Sequence, residues 1–393
     1  MIDFSHPPAV QELAERTRAF VDAVCVPAEA RDRGGHGLDP DLRAELQAAA
    51  KDAGIFAPQV AAELGGHGLD LRGQAAVLEA AGRSLLGPQA LNCAAPDEGN
   101  MHLLHEIATP EQRERYLVPL AAGETRSSFS MTEPPPGAGS DPSMLRTTAT
   151  KIDGGWVIDG HKWFITGAEG AAFSICMART SDAISGGRGA TMFLVDADNP
   201  GMRLERVIDA QDRGFAGGHG EVVFERCEVA DDAVLGAVGE GYRYAQVRLV
   251  GGRLTHCMRW TGLAARAFES AVGYVNQRHG FGGPLAGQGI VQQMLADSHI
   301  DLETSRLLIL RAAWEVDTGG GDGIFPSSVA KAHVAEAVHR VVDRAVQLCG
   351  ATGVSGDAPL SRFLAEVRPF RIYDGPTETH KWSIGRRLAR ARA

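Results

Sequence analysis

Two stretches of this sequence carry residue types whose spacing suits chemistry on a bound small molecule. In the first, Phe129-Ser130-Met131-Thr132-Glu133-Pro134 runs into Gly137-Ala138-Gly139-Ser140-Asp141, and Trp163-Phe164-Ile165-Thr166 follows. A glycine-containing loop lets backbone N–H groups come close to a ligand, and the later run offers an aromatic face and a hydroxyl. By residue type alone the segment also reads as a turn and a core strand. In the second stretch, Tyr373-Asp374-Gly375-Pro376-Thr377-Glu378 sets a carboxylate just ahead of a helix-like run. Such an aspartate is either a helix N-cap or a proton-accepting base, and a capping carboxylate has a lowered pKa.

The elements that must position these residues fall into three textures. From residue 8 onward Ala, Leu, Glu and Arg dominate, with breaks at Gly34-Gly35, Gly65-Gly66 and Gly87-Pro88, which predicts a helical domain over 1–127. Short β-rich runs such as Trp156-Val157-Ile158 and Thr191-Met192-Phe193-Leu194-Val195 alternate with turn signals. They predict a middle antiparallel β domain over 128–235. Helical periodicity then returns over 236–393, clearest where Val334, Val338, Val341, Val342, Ala345 and Leu348 form a core stripe. The glycine-rich stretch Thr318 to Gly323 is a connection before Pro326 opens the next helix. Helices, strands and helices in that order make an α+β chain, not the alternation of a parallel sheet.

Composition narrows the function classes. With 44% hydrophobic and 22% charged residues the chain is globular, and a formal charge of -10 argues against a general nucleic-acid binder. No apolar run reaches the ~20 residues of a membrane span, and Met1-Ile2-Asp3-Phe4-Ser5-His6 does not resemble a leader. The expectation is a cytoplasmic protein with no membrane partner. Cys25, Cys93, Cys176, Cys227, Cys257 and Cys349 show no paired spacing and read as reduced, buried thiols. No G-x-G-x-x-G, P-loop, H-E-x-x-H or G-x-S-x-G motif occurs, and His102 and His105 lack a third metal ligand nearby. No metal is expected.

The segment Met131 to Asp141, with Trp163 to Thr166, resembles the M-T-E-P-x-A-G-S-D and W-I-T hallmarks of the acyl-CoA dehydrogenases. This copy has extra loop residues between Pro134 and Ala138, and Phe164 is inserted in the second motif. The resemblance extends to Glu63-Leu64-Gly65-Gly66-His67-Gly68, Arg278-His279-Gly280-Phe281-Gly282 and Gln347-Leu348-Cys349-Gly350-Ala351-Thr352-Gly353. Ala95-Pro96-Asp97-Glu98-Gly99-Asn100-Met101 and the Asp374-Gly375-Pro376 triplet resemble the branch whose eukaryotic members also carry a kinase-like domain.

The resemblance implies FAD as cofactor and an acyl-CoA as substrate. Met131 and Thr132 would bond the pyrimidine side of the flavin, while Trp163, Ile165 and Thr166 would cover its face and N5 edge. Gly139, Ser140, Pro376 and Glu378 are further cofactor-binding candidates. Arg278, Phe281, Gln288, Gln347, Gly350 and Ala351 would hold the pyrophosphate and adenosine of a neighbouring subunit, so a homodimer or homotetramer is implied. Ser140, Arg253 and Gly375 are substrate-binding candidates. Asp374 would be the catalytic base that takes the α-proton while hydride leaves the β-carbon for flavin N5, with its pKa raised by a closed apolar pocket. Some family members place the base at a position matching Gly252, where glycine cannot act. Electron-transferring flavoprotein is the expected acceptor. The competing readings are a flavin oxidase or monooxygenase of the same superfamily, nitroalkane oxidase-like and acting on a non-CoA substrate, and a non-enzymatic acyl-CoA-binding member.

Overall fold

The computed structural model describes residues 4–32, 35, 37–181 and 189–390. Gly34, named above as part of a break, lies outside them. The chain forms two compact units: one of Met1–Arg31, Leu69–Pro88 and Arg253–Ala393, the other of Asp32–Gly68 and Gln89–Gly252. The division cuts across the helical stretch 1–127, and it falls inside the long helix Gly241–Gln277.

The second unit is built on an eight-stranded sheet. Its strands are β1 (Ser127–Ser130), β2 (Thr148–Ile152), β3 (Gly155–Thr166), β4 (Phe173–Arg179), β5 (Ala190–Asp196), β6 (Met202–Ile208), β7 (His219–Ala230) and β8 (Val234–Leu235). They lie in the order β6-β7-β3-β2-β4-β5-β8, with β1 also on β4. Pairing is antiparallel except that β1, and β2 at Thr148, run parallel to β4. No hairpin joins these pairs, so connectivity does not force them antiparallel. Trp156, Ile158, Ile165, Cys176, Phe193, Val195 and Phe224 fill the core, and each buried aromatic or branched side chain contributes about 1.5–3 kcal/mol. The flanking helix Pro40–Asp52 starts cleanly because Asp39 accepts from Asp41 N and Leu42 N and proline takes the first position.

The first unit is helical. Helix Ile324–Val354 packs on Gly289–Asp317 and on Thr377–Arg390, and the part of Gly241–Gln277 from Arg253 onward belongs to the same unit. The predicted valine stripe is buried throughout. Helix Ile324–Val354 begins just before Pro326, which falls in the first turn, where its missing N–H removes no helical bond. The chain's first residues are tied in by ion pairs: Arg266 forks onto Glu29 at 2.7 and 2.9 Å, and Arg83 bridges Asp22 and Glu269. All six cysteines are buried and none is in a disulfide. Among the described residues no helix is long and apolar enough to cross a membrane, and no metal-like cluster occurs.

Candidate active site

In the sheet unit the loop after β1 is organised by one carboxylate. Glu133, 3% exposed, accepts from Ala138 N at 3.2 Å, Arg146 N at 2.7 Å, Thr147 N at 2.8 Å and Lys162 Nζ at 2.9 Å. Lys162 is fully buried and donates a further bond to Met131 O. Burial alone would push the Glu133 carboxyl up, but Lys162 and the converging N–H groups outweigh it and hold the pKa at about 2. The loop is also clamped to β3: Thr132 Oγ1 donates to Trp163 O at 2.7 Å, and Trp163 N donates to Thr132 O. Gly139 and Ser140 lie exposed on this loop.

The end of β3 is shaped by a bulge. Pairing of β3 with β7 shifts between Lys162 and Ile165, and Phe164 sits there with φ 51°. A bulge re-aims side chains. It leaves Phe164 48% exposed and Trp163 half-buried, edge-to-face at 5.1 Å, while the Ile165 side chain lies in the sheet core. Ile165 therefore has its backbone, not its side chain, available to a ligand. Thr166 Oγ1 lies 3.0 Å from His219 Nδ1, whose Nε2 lies 3.2 Å from Asp212 Oδ1. The Ala95 to Met101 motif builds a separate buried network: Asp97 accepts from Ser127 N and Oγ, Asn100 donates to Ser127 Oγ, and Arg248 donates to Asn100. Burial pushes the Asp97 carboxyl up despite the Ser127 bonds.

In the helical unit Asp374 occupies a tight turn, with φ 53° there and 98° at Gly375. Helix Thr377–Arg390 begins beyond it, with Pro376 O accepting from His380 N. The Asp374 carboxylate reaches a different partner: Oδ2 is 3.1 Å from His256 Nδ1, with both side chains largely buried. That imidazole stacks on Phe370 and meets Tyr373, whose hydroxyl accepts from Trp260 Nε1 at 2.6 Å. The turn's carbonyls are held in the same manner. Arg253 Nε and His380 Nε2 lie 3.3 and 3.0 Å from Asp374 O, and Lys331 Nζ donates to Phe370 O and Gly375 O at 2.6 and 3.1 Å. Burial lowers the Lys331 pKa to about 8. Burial, then Arg253 and Lys331, lowers that of His380 to about 4, so its neutral ring must carry the proton on Nε2 to donate here. A Cβ at position 375 would stand 2.7 Å from His380 Nε2, so glycine is required by space as well as by φ.

The remaining residues named from the sequence form exposed groups. Arg278 and Phe281 lie on a small hairpin whose tip places Phe281 92% exposed, and Gln288 precedes helix Gly289–Asp317. Gln347, Gly350 and Ala351 are exposed near the end of helix Ile324–Val354, where Gly350 breaks the helical path with φ 56° and ψ −134°. Glu378 is exposed in the first turn of its helix. Sequence reasoning missed Glu133 and Lys162 as scaffold, and His256, Lys331, His380, His219 and Asp212 entirely. One signal was present: His256 lies a helical turn after Arg253, on the same face.

Known proteins resemble this chain throughout. Family models for the acyl-CoA dehydrogenase N-terminal, middle and C-terminal domains match residues 7–124, 128–227 and 239–389. Probable acyl-CoA dehydrogenase FadE2 of Mycobacterium tuberculosis is 40% identical over 354 residues, 88% of this chain and 85% of that one. Acyl-CoA dehydrogenase family member 10 of Mus musculus is 35% identical over 96% of this chain, which spans 37% of that relative. The solved butyryl-CoA dehydrogenase of Megasphaera elsdenii aligns with a TM-score of 0.88 at 28% identity, over 99% of this chain and 100% of that one. Fold and relatives together define an FAD-dependent oxidoreductase with helical, β and helical parts. The chain belongs to the acyl-CoA dehydrogenase family.

Proposed function

We propose that this chain oxidises a saturated acyl-CoA thioester to the trans-2-enoyl-CoA, with Asp374 as the base that takes the α-proton. The observation that carries this reading is the Asp374 turn: a carboxylate backed by His256, on a backbone whose Phe370, Asp374 and Gly375 carbonyls are held by buried donors. A planar trans peptide with its Asp374 C=O fixed toward Arg253 and His380 directs the Gly375 N–H the opposite way. Fixed backbone donors of this kind suit a thioester oxygen on which enolate charge develops. Arg253 then acts by holding the turn.

The sheet unit fits a flat aromatic ligand with polar edges. Trp163 is half-buried at the bulge, with the Thr166 hydroxyl at the end of the same strand and the Thr132 hydroxyl bonded to the Trp163 carbonyl. FAD, when bound, supplies the acceptor for the β-hydride. Thr132 and Met131 would meet its pyrimidine side, Trp163 and the backbone of Ile165 its face, and Thr166 its N5 edge. Gly139 and Ser140 would be further cofactor contacts of the sheet unit, with Ser140 also meeting the pantetheine arm, and Pro376 and Glu378 are the cofactor-binding candidates of the helical unit. The exposed Phe281, with Arg278, Gln288 and Gln347 to Ala351, would serve the cofactor of a second copy in a homodimer or homotetramer. An Arg fork suits a pyrophosphate, and open space at Gly350 permits close approach. Electrons would pass to an electron-transferring flavoprotein.

The test is anaerobic mixing of the purified FAD-loaded protein with saturated acyl-CoA esters. Flavin bleaching with formation of an enoyl-CoA, together with slow reaction of the reduced protein with oxygen, is expected. Bleaching only by nitroalkanes or other non-CoA compounds, or rapid reoxidation by oxygen, contradicts the proposal.

A further inference from the structure

The Asp212 and His219 side chains extend a line of close polar contacts from Thr166 inside the sheet unit, and the dehydrogenation reading uses neither of them. Thr166 and His219 are direct cross-strand partners on β3 and β7, so the ladder itself sets hydroxyl against imidazole. Nδ1 is 3.0 Å from Thr166 Oγ1, and Nε2 is 3.2 Å from Asp212 Oδ1. Asp212 and His219 are 5% and 7% exposed, and Phe215 and Phe164 pack their rings near the imidazole. The second carboxylate oxygen, Oδ2, is buried with no hydrogen-bond partner. An ionised carboxylate only accepts, and a buried one with a single contact is costly unless that contact is a good one.

We infer that Asp212 fixes the His219 tautomer and thereby makes the Thr166 hydroxyl point its lone pairs, not its proton, at the ligand edge. With the proton on Nε2, directed at Asp212, the neutral ring offers Nδ1 as an acceptor. Thr166 O–H then donates inward to Nδ1, and toward the site it can only accept. This rests on the placement of Thr166 beside flavin N5. That atom lacks hydrogen when oxidised and carries one when reduced, so an acceptor there favours the reduced cofactor. Asp212 and His219 are positioning residues that raise the flavin's reduction potential through Thr166.

Two measurements test it. In the native protein, ¹⁵N NMR of the histidine rings, with His219 assigned through His219→Leu, should show a neutral ring protonated on Nε2. A ring protonated on Nδ1 or on both nitrogens overturns the proposal without any reference to flavin. The midpoint potential of bound FAD should then fall in His219→Leu, because the freed hydroxyl can donate outward. A roughly tenfold change in the oxidised-to-reduced equilibrium corresponds to about 30 mV for a two-electron couple. The same replacement should have no effect on the potential in a Thr166→Val background. A rise in potential, or a fall that persists without the hydroxyl, overturns the tautomer argument. If Thr166→Val alone leaves the potential of the native protein unchanged, the placement of Thr166 at N5 fails and the inference with it, whatever the NMR result.

Discussion

The loop at Met131 to Thr147 and the turn at Phe370 to Gly375 solve one problem with opposite charges. Both are irregular, partly exposed backbone whose buried N–H and C=O groups must still find partners. In the sheet unit one carboxylate, Glu133, gathers three backbone N–H groups and Lys162. In the helical unit Arg253, Lys331 and His380 come from separate helices to hold three carbonyls. The Glu133 arrangement consumes N–H groups and yields a rigid scaffold. The other arrangement consumes carbonyls, on the turn where Asp374 is the proposed base. Scaffold and chemistry are thus separable, and mutations should sort accordingly.

The largest effect on turnover is expected from Asp374→Asn. It removes the proposed proton acceptor and should slow flavin bleaching by about 10²–10⁴-fold with FAD content unchanged, the range for loss of a general base. The largest effect on stability is expected from Glu133→Gln. Leaving Lys162 buried without its charge partner should cost about 3–5 kcal/mol, read as a lower denaturant midpoint, with any surviving folded protein still able to bleach. The same carboxylate sets an acid limit. Its folded pKa of about 2 lies below the ordinary value of ~4.3, so its stabilisation is complete above that value and disappears as pH falls toward 2. In Glu133→Gln that part of the acid dependence should vanish.

A smaller effect has the reverse pH signature. Lys331 is held at about 8, below the ordinary ~10.4, so the unfolded chain binds more protons between those values and stability should rise with pH across that window. Lys331→Met should flatten the rise, as measured by denaturation at a series of pH values. Gly375→Ala should cost about 1–3 kcal/mol, since its Cβ meets His380 and its φ of 98° is strained for alanine. It should slow bleaching as well, because the strain falls on the turn that carries the proposed base.

The comparison also shows what a sequence displays and what it hides. The order of helices, strands and helices was legible because periodicity is local, and the valine stripe from Val334 to Leu348 is buried as its spacing predicts. The loop and Asp374 stood out because they form contiguous motifs. Their partners did not. Lys162 lies far along the chain from Glu133 and Lys331 from Gly375, and a lysine in a strand or helix pattern reads as a solvated side chain until the fold buries it. The parallel pairing of β1 with β4 was hidden for the same reason, since register between strands distant in sequence leaves no local trace. The partner of Asp374 was hidden as well: the residue has a left-handed φ ahead of Thr377, and its carboxylate lies against His256.

The central claim is that Asp374 takes the substrate's α-proton, and the most direct measurement is anaerobic stopped-flow bleaching of native, Asp374→Asn and Asp374→Glu proteins by an acyl-CoA ester that reduces the native flavin. The account predicts that the asparagine variant binds the ester but does not bleach, and that the glutamate variant, one methylene longer, recovers part of the rate. Bleaching by Asp374→Asn at the native rate would contradict it.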